Sequence, residues 1–230
     1  FNHCRSGRVK TMTEKQAIWR TLVERLTLGT VAALAALGLF VWLAHEMGEG
    51  AARRLDGQAV YFFSVHQSVG LHGMMTAITL LGSGGGVFLV LALSVFGFWR
   101  VGRFWPAGAS LLLAIVGGEA LVYGLKALFH RARPDPIYAH LGYSFPSGHS
   151  FLSLTLYGGL AYWLSRDAPP RRRRALWSAA AILTILVGFS RVCLGVHYPS
   201  DVLAGFAAAL PWLWGCLALH AKHTRREQQT

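Results

Sequence analysis

The stretch from Phe145 to Ser165, FPSGHSFLSLTLYGGLAYWLS, joins an apolar run to a polar beginning. It has no Asp, Glu, Lys or Arg and is about as long as the ~20 residues that an α-helix needs to cross a bilayer. It nevertheless opens with Pro, Ser, Gly and His, which an apolar helix does not require. The apolar part predicts a membrane span, and the polar residues at its start either cap the helix or take part in chemistry.

Uncharged stretches recur along the whole chain. The residues are 53% hydrophobic and only 14% charged, whereas soluble domains carry about 25% charged residues. A single soluble domain seldom buries so many uncharged stretches, so we predict an all-α polytopic membrane protein. The other uncharged stretches are 26–44, 57–99, 175–190, 202–219 and, broken only by Glu119, 104–125.

The lengths of these stretches predict a bundle of six transmembrane helices. The segment 57–81 is the exception, because it carries Gln58, His66, Gln67 and His72. We expect this segment to form an additional interfacial or re-entrant helix after the first span. The six predicted spans are 26–45, 83–99, 105–127, 148–165, 175–192 and 201–219.

The net charge of +12 could indicate a nucleic-acid-binding protein, but the distribution of the charges favours a membrane topology. With six spans and a cytoplasmic N-terminus, 16 of the 22 Lys and Arg residues lie on the cytoplasmic side, including the run 171–174. This bias follows the positive-inside rule. We therefore predict no nucleic-acid partner. We predict a multi-pass protein of the cell membrane, of the bacterial inner-membrane type, with both termini in the cytoplasm.

The chain shows no internal repeat and no low-complexity linker, which indicates a single membrane domain over 26–220. A basic cytoplasmic segment, 1–25, precedes this domain and a cytoplasmic tail, 221–230, follows it. Met12 is a more natural start than Phe1, so we expect residues 1–11 to lie outside the natural protein.

Three polar clusters lie at span ends that this topology places on the periplasmic or extracellular side. KALFHRARP (126–134) ends the third span, PSGH (146–149) begins the fourth, and SRVCLGVHYPSD (190–201) joins the fifth to the sixth. Because odd-numbered spans run outward and even-numbered spans run inward, segments far apart in sequence are expected to meet in one pocket.

The residue types in these clusters suit a phosphate group. Lys126, Arg133 and Arg191 supply three cations, and the planar guanidinium matches the geometry of a phosphate. Ser147 and Gly148 stand at the start of the fourth span, where free backbone N–H groups and the helix dipole attract an anion. The clusters therefore predict an anion site at the mouth of a helix.

Two histidines add reactive groups to this anion site. His197 and Asp201 are four residues apart, and a carboxylate at one ring nitrogen makes the other nitrogen a better nucleophile. His149 follows the anion site and is placed to deliver a proton to a leaving oxygen. Together these groups predict phosphoryl transfer that needs neither a metal nor a cofactor.

The three clusters together resemble the type 2 phosphatidic acid phosphatase (PAP2) superfamily. The family pattern is K-x6-R-P, then P-S-G-H, then S-R-x5-H-x3-D, and every motif position matches. The resemblance covers about residues 56–219. The gap between the first two motifs, 135–145, is at the short end for the family. The matching positions are Lys126, Arg133, Pro134, Pro146 to His149, Ser190, Arg191, His197 and Asp201.

The resemblance implies a six-helix membrane phosphatase that acts without metal. By position, His197 corresponds to the nucleophile that forms a phosphohistidine, Asp201 to the residue that orients it, and His149 to the acid for the leaving group. The positions implied to bind phosphate are Lys126, Arg133, Ser147, Gly148 and Arg191.

The substrate implied by the resemblance is a membrane lipid that carries a phosphate or diphosphate. Phosphatidate, phosphatidylglycerophosphate and undecaprenyl diphosphate all remain open. A lipid phosphotransferase with the same site, a transporter and a vanadate-dependent haloperoxidase are the alternatives. The clustering of polar residues at one end of the spans argues against a transporter, and six apolar spans argue against a soluble haloperoxidase.

Two further charged residues fall outside the motifs. Arg131 suits either a peripheral phosphate contact or, as we favour, an anchor to lipid headgroups. Glu119 lies seven residues before Lys126 on the same helical face, and a carboxylate within a span is costly unless it is paired or hydrated. For Glu119 we favour a polar contact between helices over a role in a substrate or proton path.

Overall fold

The described part of the chain, residues 27–47 and 50–227 of a computed structural model, consists of helices joined by short turns and loops. It contains no β-strand, so the predicted all-α fold is confirmed. The predicted N-terminal basic segment, 1–25, lies outside the described residues.

Eight α-helices and two shorter helical turns follow one another along the described residues. A π-helical turn, Phe104–Gly108, leads into α5, and a 3-10 turn, Pro136–Leu141, lies in the loop after it. The α-helices are α1 (Thr27–Glu46), α2 (Ala51–Val65), α3 (Val69–Leu80), α4 (Gly84–Arg100), α5 (Ala109–Phe129), α6 (Gly148–Ser165), α7 (Pro170–Cys193) and α8 (Pro199–Glu227).

Four of these helices, α1, α5, α7 and the Pro199–Leu219 part of α8, are each long and apolar enough to cross a membrane. The pair α3 and α4 qualifies together as a fifth, although the two helices are bent by 42° at their junction. The multi-pass character is thus confirmed. The predicted count of six is not reached by length and hydropathy, which give four or five spans among the described helices.

The position of α6 explains why this predicted span falls short on hydropathy. It lies in the centre of the bundle and packs against α4, α5, α7 and α8. Phe151 and Leu156 are fully buried, and so are Ser153 and Thr155, whose hydroxyls donate to backbone carbonyls within the helix. Because α6 faces other helices more than lipid, it accommodates small and polar residues that a lipid-facing helix would not.

The segment 57–81 forms parts of two helices, so the prediction of a single helix there is wrong. Two of the four polar residues that weakened its case as a span, His66 and Gln67, lie at the break between α2 and α3. Gln67 donates from Nε2 to the carbonyl oxygen of Cys193 at 2.8 Å, and the Ser68 hydroxyl caps α3 by accepting from the amide of Leu71 at 3.2 Å. Side chains that bind free backbone groups end and start helices, which is why the break falls here.

One close helix contact sets the geometry of the end of the bundle that holds the motifs. Gly205 of α8 lies against the start of α6, and a Cβ added there would stand 2.6 Å from the carbonyl oxygen of Ser147 and 2.9 Å from the Cβ of Ser150. Only glycine permits this approach without a shift of the backbone. The contact brings the first turn of α6 beside the first turns of α8.

Candidate active site

The turn between α7 and α8 places His197 beside the last turn of α7. The carbonyl oxygen of Arg191 accepts the amide N–H groups of Val196 and His197, at 3.1 and 3.2 Å. Gly195 has a φ of +68°, the left-handed region that glycine enters without steric cost. The two residues that the third motif separates by five positions are therefore joined by a backbone hydrogen bond.

His197 and Asp201 form the predicted pair in the protein interior. His197 Nδ1 lies 3.4 Å from Asp201 Oδ2, and the two residues are 2% and 0% exposed. Asp201 Oδ2 also accepts the amide N–H of Tyr198 at 3.0 Å. Because a carboxylate only accepts hydrogen bonds, this contact places the imidazole proton on Nδ1 and leaves the lone pair on Nε2.

Burial lowers the pKa of the His197 imidazole from 6.5 to about 4, although the hydrogen bond and charge of Asp201 act in the opposite direction. The cations of Arg191 and Lys126 lower this pKa further. At neutral pH the ring is therefore uncharged, which is the form that carries a nucleophilic nitrogen.

Arg133, from the first motif, faces the other nitrogen of the same ring. Its Nη1 lies 3.3 Å from His197 Nε2 and 3.0 Å from the carbonyl oxygen of Val196. A guanidinium only donates hydrogen bonds, so this contact independently assigns the lone pair to Nε2. The first and third motifs are thus in direct contact.

Lys126 and Arg133 are held by the loop between α5 and α6. The Lys126 ammonium donates to the carbonyl oxygens of Tyr143 and, at 3.3 Å, Ser144, and Arg133 Nη2 donates to that of Tyr143 at 3.4 Å. His130 ends α5 with a φ of 50°, and the chain then turns back over the end of the helix. Both cations are therefore directed to one side by the same loop.

The start of α6 carries the second motif. The Ser147 hydroxyl accepts from the amide of Ser150 at 3.5 Å, and the Ser147 N–H donates to the carbonyl oxygen of Asp201 at 3.0 Å. The next two amides, of Gly148 and His149, are in the first helical turn and have no acceptor among the described residues. The second and third motifs are joined here, and the free N–H groups form the positive end of a helix dipole.

Arg191 is buried, with 7% of its surface exposed. Its Nη1 donates to Thr79 Oγ1 of α3 at 2.8 Å, while its Nε has no partner in the part of the chain that the structure describes. A buried guanidinium N–H without an acceptor is costly. It is also a donor that a bound anion would satisfy.

The predicted roles of Arg131 do not agree with its surroundings. Its guanidinium donates to Asp201 Oδ1, to Asp56 Oδ2 at 2.7 Å and to Ser200 Oγ at 2.7 Å, and it lies 4.1 Å from the centre of the Tyr198 ring. A side chain bound by two carboxylates is directed into the protein, so the expectation of a headgroup anchor is wrong. Sequence reasoning missed Asp56 altogether, although an acidic residue is unusual in a chain with only 10 Asp and Glu.

Glu119 lies in the middle of α5 and is partly buried. It makes no hydrogen bond and no ion pair with any residue that the structure describes, so the polar helix contact that we favoured is not observed.

Comparison with known proteins places this arrangement in a family. The profile of the PAP2 superfamily matches residues 107–225, which include all three motifs. This chain belongs to the PAP2 superfamily. Phosphatidylglycerophosphatase B of Bacillus subtilis (strain 168) is 34% identical over 145 residues, which cover 61% of this chain and 70% of that protein.

Two further proteins extend the comparison. An undecaprenyl-diphosphatase of Sulfolobus acidocaldarius is 34% identical over 110 residues, 46% of this PAP2 chain and 47% of that protein, so the match spans about half of each. The crystal structure of a transmembrane PAP2-type phosphatidylglycerolphosphate phosphatase from B. subtilis superposes with a TM-score of 0.76 at 28% identity, covering 83% of this chain and 96% of that one. The predictions of a membrane protein and of a lipid phosphatase are confirmed.

Proposed function

We propose that this PAP2 protein removes the terminal phosphate of a membrane lipid and transfers it to water through a phosphohistidine on His197. The observation that carries the proposal is the state of that ring, which is buried, held at Nδ1 by Asp201 and opposed at Nε2 by Arg133. The names of the relatives favour phosphatidylglycerophosphate and undecaprenyl diphosphate as substrates, and phosphatidate is the third candidate.

The phosphate is proposed to bind where donors from four segments converge. Arg191 offers its unpartnered Nε, and the amides of Gly148 and His149 offer the free N–H groups at the start of α6, which Ser147 caps. Lys126 and Arg133 exchange loop carbonyls for phosphate oxygens, because a charged acceptor binds a cation more strongly than a neutral carbonyl does. These fixed donors stabilise the charge that spreads over the phosphoryl oxygens during transfer.

In the first step the lone pair of His197 Nε2 attacks phosphorus, and the bond between phosphorus and the lipid oxygen breaks. The leaving oxygen takes a proton from His149, which acts as the general acid. The Nδ1–H of His197 remains bonded to Asp201, whose negative charge stabilises the positive charge that the ring acquires.

In the second step a water molecule attacks the phosphorus of the phosphohistidine and gives up a proton to His149. The bond between phosphorus and Nε2 breaks, inorganic phosphate leaves and His197 returns to its neutral form. Each residue ends the cycle in its starting protonation state, and no metal ion is required.

We also propose the sidedness of the protein. The site lies at the C-terminal ends of α5 and α7 and at the N-terminal ends of α6 and α8, and the distribution of Lys and Arg favours the periplasmic or extracellular side for these ends. On this topology a single membrane domain, 26–220, has both termini in the cytoplasm, and a lipid reaches the site from the bilayer without moving its tail into water.

The function is tested by phosphate release from a panel of lipids in detergent with EDTA present. The panel contains phosphatidate, phosphatidylglycerophosphate and undecaprenyl diphosphate, with glucose 6-phosphate as a soluble ester. We expect release from at least one lipid, little from the soluble ester, and no loss of rate with EDTA. A rate that requires an added divalent metal ion would contradict the proposed chemistry.

The same assay separates hydrolysis from transfer to another acceptor. A phosphatase releases one inorganic phosphate for each lipid product at every acceptor concentration. A phosphotransferase would release less free phosphate as an alcohol acceptor is added, and that result would contradict water as the physiological acceptor.

A further inference from the structure

A second buried carboxylate stands behind the His197–Asp201 pair. Asp56 of α2 is 2% exposed, and its Oδ1 accepts the amide N–H of Ser200 at 3.0 Å. Its Oδ2 accepts both the hydroxyl of Ser200 and Nη2 of Arg131, the latter at 2.7 Å. Both oxygens are thus bound, and α2 is attached to the start of α8 at the residue next to Asp201.

Arg131 joins the two carboxylates. One side of its guanidinium donates to Asp56 and the other to Asp201 Oδ1, and the Ser200 hydroxyl oxygen accepts a further bond at 2.7 Å. Asp201 uses its second oxygen for His197 and the amide of Tyr198. The chain of contacts therefore runs from Asp56 through Arg131 and Asp201 to the imidazole.

The charges along this chain explain why two carboxylates are present. An Arg131–Asp201 pair alone would be neutral, and it would offer little stabilisation to a positive charge on the ring of His197. Asp56 gives the three side chains a net charge of −1. Because both carboxylates are buried and only 11% of the Arg131 side chain is exposed, this charge acts on the ring with little screening.

We propose that Asp56 and Arg131 are positioning residues for the nucleophile, with Arg131 fixing Asp201 and Asp56 supplying the excess negative charge that stabilises the imidazolium formed when His197 bonds phosphorus. The inference rests on the proposed function and deepens it. Neither residue needs to contact the phosphate, so their effect is expected on the chemical step and not on substrate binding.

Other charged groups face His197 and oppose this effect. Arg133 lies 3.3 Å from Nε2, and Arg191 and Lys126 act on the ring through their charges. Asp201 is the negative group in contact with the ring. The net negative charge of Asp56, Arg131 and Asp201 therefore partly offsets the effect of these cations on the imidazolium.

The test compares Asp56→Asn with Asp167→Asn. Both variants exchange a carboxylate for an amide of the same shape, but Asp167 is 71% exposed and pairs with Arg103 after the C-terminal end of α6, away from the site. With the lipid of the panel that wild type hydrolyses fastest, in detergent micelles and EDTA, we expect kcat of Asp56→Asn to fall about tenfold or more, the order expected when one charge several ångströms away is removed. We expect its KM, and both constants of Asp167→Asn, to stay within about twofold of wild type.

A second measurement separates a charge effect from structural damage. The titration of His197 is followed by 15N NMR of histidine-labelled protein, with the resonance assigned by its loss in His197→Ala. Removing a negative charge disfavours the imidazolium, so the midpoint in Asp56→Asn stays at or below that of wild type. Loosening of the site would admit water and raise the midpoint toward 6.5, and that result would overturn the inference.

A third variant covers the case in which Asp56→Asn does not yield folded protein. Ser200→Ala removes the hydroxyl shared by Asp56 and Arg131 and leaves all three charges in place. We expect a smaller fall in kcat, about threefold and typical of one hydrogen bond, with unchanged KM. A wild-type kcat in this variant would contradict the positioning role.

The results also distinguish this inference from the proposed function. Wild-type protein that releases no phosphate from any lipid of the panel would refute the function. Active wild type together with an Asp56→Asn variant that matches it in kcat and in the titration of His197 would refute only the role of Asp56 and Arg131.

Discussion

At the scale of single residues, the state of His197 determines the chemistry. Burial lowers the pKa of its imidazole to about 4, so the ring is expected to stay neutral as the pH is lowered from 7 to 5. An exposed histidine is half protonated near pH 6.5. We predict that the 15N resonances of His197 show almost no protonation above about pH 5, because burial and the nearby cations outweigh the stabilisation that Asp201 gives to the imidazolium.

The lowered pKa of His197 also makes the fold less stable at acidic pH. Between pH 6.5 and about 4 the unfolded chain takes up a proton at this histidine while the folded chain does not, so this group lowers the free energy of unfolding as the pH falls through that range. A midpoint for His197 near 6.5 in the folded wild type would show that the ring is hydrated, and it would contradict the buried geometry.

The residues of the three motifs were accessible to sequence reasoning because their spacing is fixed along the chain. The roles of Arg131 and Asp56 could not be predicted in this way, because they depend on hydrogen bonds between residues that are 70 and 75 positions apart in the chain. Arg131 in isolation fits a headgroup anchor as well as a buried ion pair. Only the packing of α2 against the start of α8 distinguishes the two.

At the scale of helices, the approach of α8 to α6 is the contact on which the site depends. We predict that Gly205→Ala reduces kcat by at least about tenfold and destabilises the fold by about 1–3 kcal/mol, because the added methyl would stand 2.6 Å from the Ser147 carbonyl oxygen. The activity assay and thermal unfolding in detergent measure the two effects.

A matched control lies on the same helix. Gly215→Ala introduces the same methyl group where nothing stands within 4 Å, and we expect wild-type kcat and a melting temperature equal to or slightly above that of wild type. Equal behaviour of the two variants would show that the close contact of α6 and α8 is not required for activity.

The bounds of the long helices were predictable whether the helix faces lipid or other helices. Uncharged stretches located α1, α4, α5, α6, α7 and the Pro199–Leu219 part of α8 to within five residues, because a helix in a bundle carries few charges on any face. The segment 57–81 was assigned to a single helix because its sequence does not reveal that His66, Gln67 and Ser68 end one helix and begin the next. The central position of α6 follows only from tertiary packing.

At the scale of the whole molecule, the proposed topology puts the site and the charged segment 166–174 on opposite sides of the membrane. We predict that a cysteine replacing Ile137, which is 69% exposed in the loop over the site, reacts with a membrane-impermeant maleimide in intact cells. A cysteine replacing Asp167 should react only after lysis. Cys4 is first replaced by alanine, and the two described cysteines, Cys193 and Cys216, are buried. The reverse pattern would contradict the proposed sidedness.

The convergence of the motifs was foreseeable from the alternation of outward and inward spans alone. Clusters at the ends of the third and fifth spans and at the starts of the fourth and sixth must meet on one side, whatever the details of packing. The number of spans was less certain, because the bend of 42° between α3 and α4 combines two helices that a hydropathy argument treats separately.

The central claim is a covalent bond between phosphorus and His197, and trapping that intermediate tests it most directly. Wild-type protein is mixed with the lipid of the panel that it hydrolyses fastest, denatured within milliseconds in alkali, where phosphohistidine survives, and mapped by peptide mass spectrometry. We expect a single phosphoryl group on His197, and neither label nor phosphate release in His197→Ala. A label on another residue, or full activity in His197→Ala, would contradict the account.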